Sequence, residues 1–209
     1  GTMNVNMLES SMSYFIQAVG GLAGYNEMPG SIQRSYSTVA LTIQLSASIS
    51  AVGNLIGYNT GIIEDSYSAG SLSAFRTTQN NAAGFVGGLI GQSGSIGGFT
   101  PMGFRVQNCH SAAAVNITDP TNSVKAGTFA GYANSTNEKS TYALSQAALP
   151  AVGQSAVVDS VARNKTEAEM KTEATFSGWD FDAVWSMGSK YPELGKLELT
   201  LGDISGLDT

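Results

Sequence analysis

The nonapeptide AVGGLAGYN at residues 18–26 returns as AVGNLIGYN at 51–59 and as FVGGLIGQS at 85–93. A degenerate fourth copy, AGTFAGYAN at 126–134, keeps a large apolar residue at Phe129, followed by Gly131 and Tyr132. The closing glycines Gly24, Gly57, Gly91 and Gly131 are 33, 34 and 40 residues apart. Self-similarity with a period of roughly 20–50 residues marks an architecture of stacked repeats.

Each copy continues in the same way. After the glycine come SIQRSYSTV (31–39), IIEDSYSAG (62–70) or RVQNCHSAA (105–113), then a variable stretch that includes LTIQLS (41–46) or AVNI (114–117). The third copy carries a glycine-rich insertion from Gly94 to Gly103. Each unit reads as strand, turn, strand, loop and weaker strand, with units near 18–50, 51–84 and 85–125 and a degenerate one at 126–150. A unit of this kind cannot bury its apolar side alone but can do so by stacking on its neighbours. The expected fold is therefore all-β, a parallel β-solenoid (β-helix-like) of four to five coils over residues 1–160. Residues 1–17 are expected to form an incomplete leading coil, and 161–209 a small helix-plus-aromatic cap.

Stacking predicts columns. Gly24, Gly57, Gly91 and Gly131 fall at a corner where the backbone turns sharply or approaches another strand closely. Leu22, Leu55, Leu89 and Phe129 form an apolar column inside the coil. On the second strand three columns share one parity: Ile32, Ile63 and Val106, then Arg34, Asp65 and Asn108, then Tyr36, Tyr67 and His110. Simple alternation puts all three on one face, opposite the small residues Ser35, Ser66 and Cys109. Either the planar residues fill the core, or a bulge reverses the facing partway along.

Composition narrows the function classes. Charged residues make up 12% of the chain and the formal net charge is −6, with ten Lys and Arg in total. No basic stripe exists to neutralise a phosphate backbone, so a nucleic-acid partner is not expected. Apolar runs are far shorter than the roughly 20 residues that span a bilayer. The abrupt Gly-Thr-Met start carries no signal peptide and has the look of a processed or truncated chain. One cysteine, Cys109, excludes an internal disulfide.

Catalytic chemistry finds little to build on. Glu64 and Asp65 are adjacent on a strand and diverge, and Asp180 and Asp182 lie among aromatics, where Asp180 suits a backbone cap. With one histidine and one cysteine there is no tetrahedral zinc set, and neighbouring Cys109 and His110 diverge instead of forming a nucleophile–base pair. The glycine runs lack the Lys-Ser/Thr ending of a phosphate loop. No enzyme activity, catalytic residue, cofactor or metal is expected. Ligand-binding candidates are the recurring Tyr25, Tyr58 and Tyr132, which either stack on sugars or pack on neighbouring coils, together with Phe99 and Phe104 around the insertion.

These residues resemble the GLUG family of repeats, named for a Gly-Leu-any-Gly core. That core stands here as Gly21-Leu22-Ala23-Gly24 and Gly88-Leu89-Ile90-Gly91, with Asn54-Leu55-Ile56-Gly57 departing at its first position. The C-terminal FSGWDFDAVWSMGSKYPEL (176–194) is similar to the segment that closes such arrays. The resemblance implies an extracellular or cell-surface bacterial protein, adhesin-like and multidomain, with relatives that carry the repeats beside an immunoglobulin A-cleaving zinc peptidase. It attaches no catalytic role to the repeat residues. The function expected is a structural or adhesive module, monomeric within a larger chain, with a host glycoprotein or polysaccharide as partner. The alternative is a carbohydrate-active module that binds or degrades glycans.

An open solenoid edge invites aggregation unless covered. Thr166 and Glu169 fit a capping box that starts a short helix to about Ala174. Beyond it Phe176, Trp179, Phe181, Val184, Trp185, Tyr191 and Leu194 read as a plug over the last coil or as a sugar-stacking platform. Residues 195–209 are expected to form a final strand or a linker.

Overall fold

The computed structural model describes residues 1–7, 16–45, 49–76, 82–95, 102–134, 138–155 and 162–195. It shows a parallel β-solenoid in which each coil lays down four runs of strand. Face 1 stacks Gln17–Gly20, Ser50–Gly53, Gly84–Gly87 and Val124–Gly127. Face 2 stacks Ala23–Asn26, Ile56–Asn59, Ile90–Ser93, Ala130–Ala133 and Val152–Ser155. Face 3 runs from Ser31–Gln33 and Tyr36–Ser37, through Ile62–Glu64 and Tyr67–Ser68, to Arg105–Ser111, Glu138–Leu144 and Arg163–Lys165. Face 4 stacks Ala40–Gln44, Ser71–Phe75 and Ala114–Thr118, preceded by Thr2–Asn6.

The pairing holds the register of the repeat: Tyr25 lies opposite Tyr58, Tyr36 opposite Tyr67, and Tyr67 opposite His110. Thr2–Asn6 pairs in register with Ala40–Gln44, so the leading residues contribute one strand of a coil that precedes the first full one. The glycine column continues past the four copies seen in sequence, because Val152–Ser155 pairs with Ala130–Ala133 and sets Gly153 beside Gly131. Arg163–Lys165 pairs with Tyr142–Leu144, which carries the solenoid a few residues past the expected boundary at 160.

The first strand of the expected three-strand unit is in fact two. It breaks at Gly21-Leu22, Asn54-Leu55, Gly88-Leu89 and Thr128-Phe129, so that face 2 folds back on face 1. The column glycines lie within face 2, and close approach, not the turn, explains them. A Cβ on Gly57 would stand 2.6 Å from the Val19 nitrogen, one on Gly91 2.6 Å from the Ala51 carbonyl carbon, and one on Gly153 2.6 Å from the Ala126 nitrogen. Faces 1 and 2 thus meet backbone to backbone, well inside the roughly 10 Å of sheets separated by side chains.

This doubled wedge divides the interior into two apolar compartments. Between faces 2 and 3 lie Leu55, Ile56, Leu89, Ile90 and Phe129, packed with Ile63, Phe104, Val106 and Cys109. Between faces 1 and 4 lie Val52 and Val86, packed with Leu41, Ile43, Leu72, Ala74 and Val115. The wedge tip touches the corner between faces 3 and 4. There Asn54 Nδ2 donates to the carbonyls of Val39 (2.8 Å) and Ser71 (3.2 Å), which accounts for asparagine where the first and third copies carry glycine. Leu55, Leu89 and Phe129 are buried as expected, whereas Leu22, on the first coil, is 49% exposed.

The facing question on the second strand resolves as a bulge. Arg34, Asp65, Asn108 and the equivalent Ser140 all take positive φ, between 46° and 51°. That left-handed residue, one per coil, reverses the alternation. Ile63 and Val106 before it point inward, as do Ser66 and Cys109 after it, and the planar residues turn outward.

The C-terminal segment does not sit over the last coil. Helix α1 (Glu167–Met170) starts from the expected capping box, with Thr166 Oγ1 accepting from the Glu169 amide and the Glu169 carboxylate accepting from the Thr166 amide. A 3-10 turn (Glu173–Phe176) and a small antiparallel pair (Trp185–Met187 with Pro192–Leu194) follow. Met170, Phe176, Trp179, Val184 and Trp185 pack with Tyr67 against the outer side of face 3. The plug expected over the open edge is a buttress on the flank, because the reversed facing places a row of rings there that need cover. Residues 196–209 lie outside the described residues.

Gly57→Val is expected to destabilise the domain by about 3 kcal/mol or more, since the added atoms meet backbone that cannot move aside. Ser73→Val, on the outer side of face 4, is expected to stay within about 0.5 kcal/mol. Chemical denaturation of both variants checks this, and equal midpoints would contradict the backbone-to-backbone wedge.

Candidate binding surface

The outward column of face 3 is a ladder of flat side chains. Tyr36 and Tyr67 stack with ring centroids 5.1 Å apart and an interplanar angle of 8°, and Tyr67 and His110 stack at 5.1 Å and 7°. In-register parallel pairing enforces this, since equivalent side chains leave the sheet one strand spacing apart. Tyr36, at the end of the ladder, is 55% exposed, while His110 is fully buried beneath the buttress. The Trp179 and Trp185 rings lie 6.0 and 5.8 Å from the His110 ring, and Trp179 Nε1 donates to the Ser140 carbonyl (3.2 Å).

His110 joins the solenoid to the buttress. Its Nε2 lies 2.8 Å from the Pro192 carbonyl oxygen, which can only accept, so Nε2 carries the proton. Burial pushes its pKa down to about 4, only partly offset by that hydrogen bond, and the ring is neutral near pH 7. Nδ1 is then an acceptor, and it has no partner among the described residues. Beside this joint opens a cleft of about 260 Å³ lined by Tyr67, His110, Ser189, Lys190, Tyr191 and Glu193. Burial and the nearby Glu193 carboxylate push Tyr67 up to about 12, so its hydroxyl stays protonated.

The residues singled out in sequence fare differently. Tyr25 (49% exposed) and Tyr58 are in tilted contact at 5.7 Å, and the Tyr25 hydroxyl donates to the Ile16 carbonyl. The row does not continue: the buried Gln92 takes the next position, and Tyr132 is 6% exposed against Phe85. Tyr132 is therefore a packing residue, not a ligand contact. Phe104 is 1% exposed in the core between faces 2 and 3, which removes it as a ligand candidate: although it flanks the insertion, its ring belongs to the coil. Phe99 lies outside the described residues.

The groups considered for catalysis are held apart. The Cys109 thiol points inward, 3.1 Å from the Gln107 carbonyl, and burial pushes its pKa up, while His110 points outward. Glu64 accepts from Arg105 Nε (2.5 Å) and Gln33 Nε2 (3.1 Å). Asp65 accepts from Asn108 Nδ2 (3.2 Å) across the bulge column. Asp180 Oδ1 accepts from the amides of Asp182 (3.1 Å) and Ala183 (2.8 Å), as a turn cap does.

Two buried charged residues escaped the sequence reading. Arg76 (2% exposed) follows the last residue of a face 4 strand and donates from Nη1 to the Ala82 carbonyl (2.6 Å) and to Ser123 Oγ. Asp119 lies nearby; burial alone would raise its pKa, but hydrogen bonds from Thr121 and Val124 and the Arg76 charge hold it at about 2. Glu138 occupies the column of Ile32, Ile63 and Val106, is 0% exposed, and neither carboxyl oxygen completes a hydrogen bond among the described residues. Burial raises its pKa to about 7, with the neighbouring Ser93 hydroxyl opposing the rise. Only knowledge of which parity faces inward on the fourth coil reveals this residue.

The comparisons with described protein families, curated proteins and solved structures find no match for this chain.

Glu138 generates a pH-dependent prediction. Its folded pKa lies above the ordinary carboxyl value, so its share of stability is present below about pH 4.5 and is lost as pH rises through 7. Glu138→Gln is expected to be nearly neutral at pH 4.5 and stabilising by about 3 kcal/mol at pH 8. His110 acts in the opposite sense, losing stability as pH falls from about 6.5 towards 4. The Glu138 effect is therefore read as the difference between variant and parent denaturation curves across pH, and a pH-independent difference would contradict it.

Proposed function

We propose that this chain is a non-catalytic structural or adhesive repeat module of a bacterial cell-surface or secreted protein, related to the GLUG repeats. The observation that carries this reading is where its chemistry-bearing side chains are spent. Cys109 is a buried inward thiol, His110 is a neutral ring held between Tyr67 and the buttress, and Glu64, Asp65 and Asp180 are engaged in ion-pair, bulge and turn contacts. What recurs from coil to coil is packing: the glycine wedge, the apolar columns and the ring ladder. Such an array presents long in-register surfaces on a rigid frame, the property that repeat proteins use for recognition.

A glycan-binding module is the second reading, favoured by the exposed rings of Tyr25 and Tyr36. Aromatic faces of this kind combine apolar contact with a polar tip. No described helix is long and apolar enough to cross a membrane. The proposed partners are host glycoproteins or polysaccharides, with neighbouring domains in a longer chain.

The test is direct binding of the purified chain to mucins, matrix glycoproteins and polysaccharides, with product analysis on the same samples. Saturable binding with intact ligand is expected. Shortened glycan would overturn the non-catalytic reading, and the absence of binding would remove its adhesive half.

A further inference from the structure

The cleft between the ring ladder and the buttress has the chemistry of a saccharide subsite. Its inner wall is Tyr67 and His110, two stacked rings in a ladder that continues to the exposed Tyr36. The buttress side contributes Lys190, Tyr191 and Glu193, a cation, a ring and an anion within one short turn. Its outward positions just after the ladder rings are Ala69 and Ala112, and these small residues leave the groove open where larger ones would fill it. At about 260 Å³ the space is near the lower end of ligand pockets and suits one sugar ring in place of an extended chain.

The unfilled hydrogen-bonding groups point the same way. The Pro192 carbonyl fixes the His110 proton on Nε2, which leaves Nδ1, buried at the inner wall of the cleft, an acceptor without a partner among the described residues. Lys190 adds a donor and Glu193 an acceptor, both exposed at the cleft. A group that serves donors and acceptors together is a hydroxyl, and a ligand that presents several hydroxyls around an apolar ring face is a carbohydrate.

We infer that the cleft formed by Tyr67, His110, Lys190, Tyr191 and Glu193 binds a single pyranose unit of a neutral or hydroxyl-rich glycan. This deepens the adhesive reading and rests on it, by locating recognition where the buttress meets the ladder instead of along the Tyr25–Tyr58–Tyr132 column.

The chain's two tryptophans, Trp179 and Trp185, both stand against His110, so their fluorescence reports on the cleft. The experiment titrates the full chain with galactose, mannose, N-acetylglucosamine and N-acetylgalactosamine, and with mucin oligosaccharides, following tryptophan emission and calorimetry. A saturable change is expected with at least one sugar, with a Kd on the order of 1 mM for the monosaccharide, the range open to a ligand of so few atoms. Ala69→Arg, which fills the groove from an exposed position, is expected to weaken binding at least tenfold at unchanged Tm. Glu193→Gln is expected to weaken it several-fold, and Ser73→Arg on the outer side of face 4 to leave it intact. Binding of mucin oligosaccharides that is equal in all four proteins would overturn the cleft while leaving the adhesive module standing. So would capture of a matrix protein by a chain that responds to no sugar. Failure to bind any sugar, mucin or matrix protein would overturn both.

Discussion

The structure depends on one constraint, the approach of two strand runs of the same coil at backbone distance. Gly24, Gly57, Gly91, Gly131 and Gly153 allow it, because any Cβ there would collide with the main chain of face 1. Sheets that meet without intervening side chains cannot exclude water through their own contact, so each needs an apolar layer on its other side. That is why the interior forms two compartments instead of one, with Leu55, Leu89 and Phe129 on one side of the wedge and Val52 and Val86 on the other. The cross-section of the coil follows from the smallest residue in the repeat.

The second organising device is one left-handed residue per coil at Arg34, Asp65, Asn108 and Ser140. Without it the tyrosines and His110 would share the parity of Ile63 and Val106 and compete for the core. With it they become an outward ladder, and an exposed stack of rings is surface that favours cover. Phe176, Trp179, Val184 and Trp185 supply that cover, and the small residues Ala69 and Ala112 beside it leave the cleft unfilled. Local backbone geometry, the buttress and the cleft are links in one chain of cause.

The polar interior shows where repetition gives way. Arg76 and Glu138 interrupt apolar columns that earlier coils fill with Leu45 and with Ile63 or Val106. A buried charge without full compensation is costly, and each residue meets that cost differently. Arg76 keeps its charge near Asp119 and donates to Ala82 and Ser123, whereas Glu138 holds its proton to unusually high pH. Both stand at strand ends, Arg76 just after Phe75 and Glu138 at the first residue of its strand.

The parallel solenoid, the buried Leu55–Leu89–Phe129 column, the capping box at Thr166 and the divergence of Cys109 from His110 were all legible in the residues, because identical spacing and strand parity require no knowledge of neighbours. Three matters were not. The split of the GLxG strand at Asn54-Leu55 depends on what face 1 packs against; Gly153 belongs to the column through pairing, not spacing; and the buttress lies on the flank of face 3 because the bulge turned the rings outward. The candidates misplaced in sequence, Tyr132 and Phe104, are buried by residues distant along the chain. By itself the sequence determined what repeats and how often, since periodicity is a property of the chain alone. The tertiary structure decided which side of each strand faces inward, and with it where any ligand is met, because facing is settled by backbone dihedrals and packing partners that periodicity does not encode.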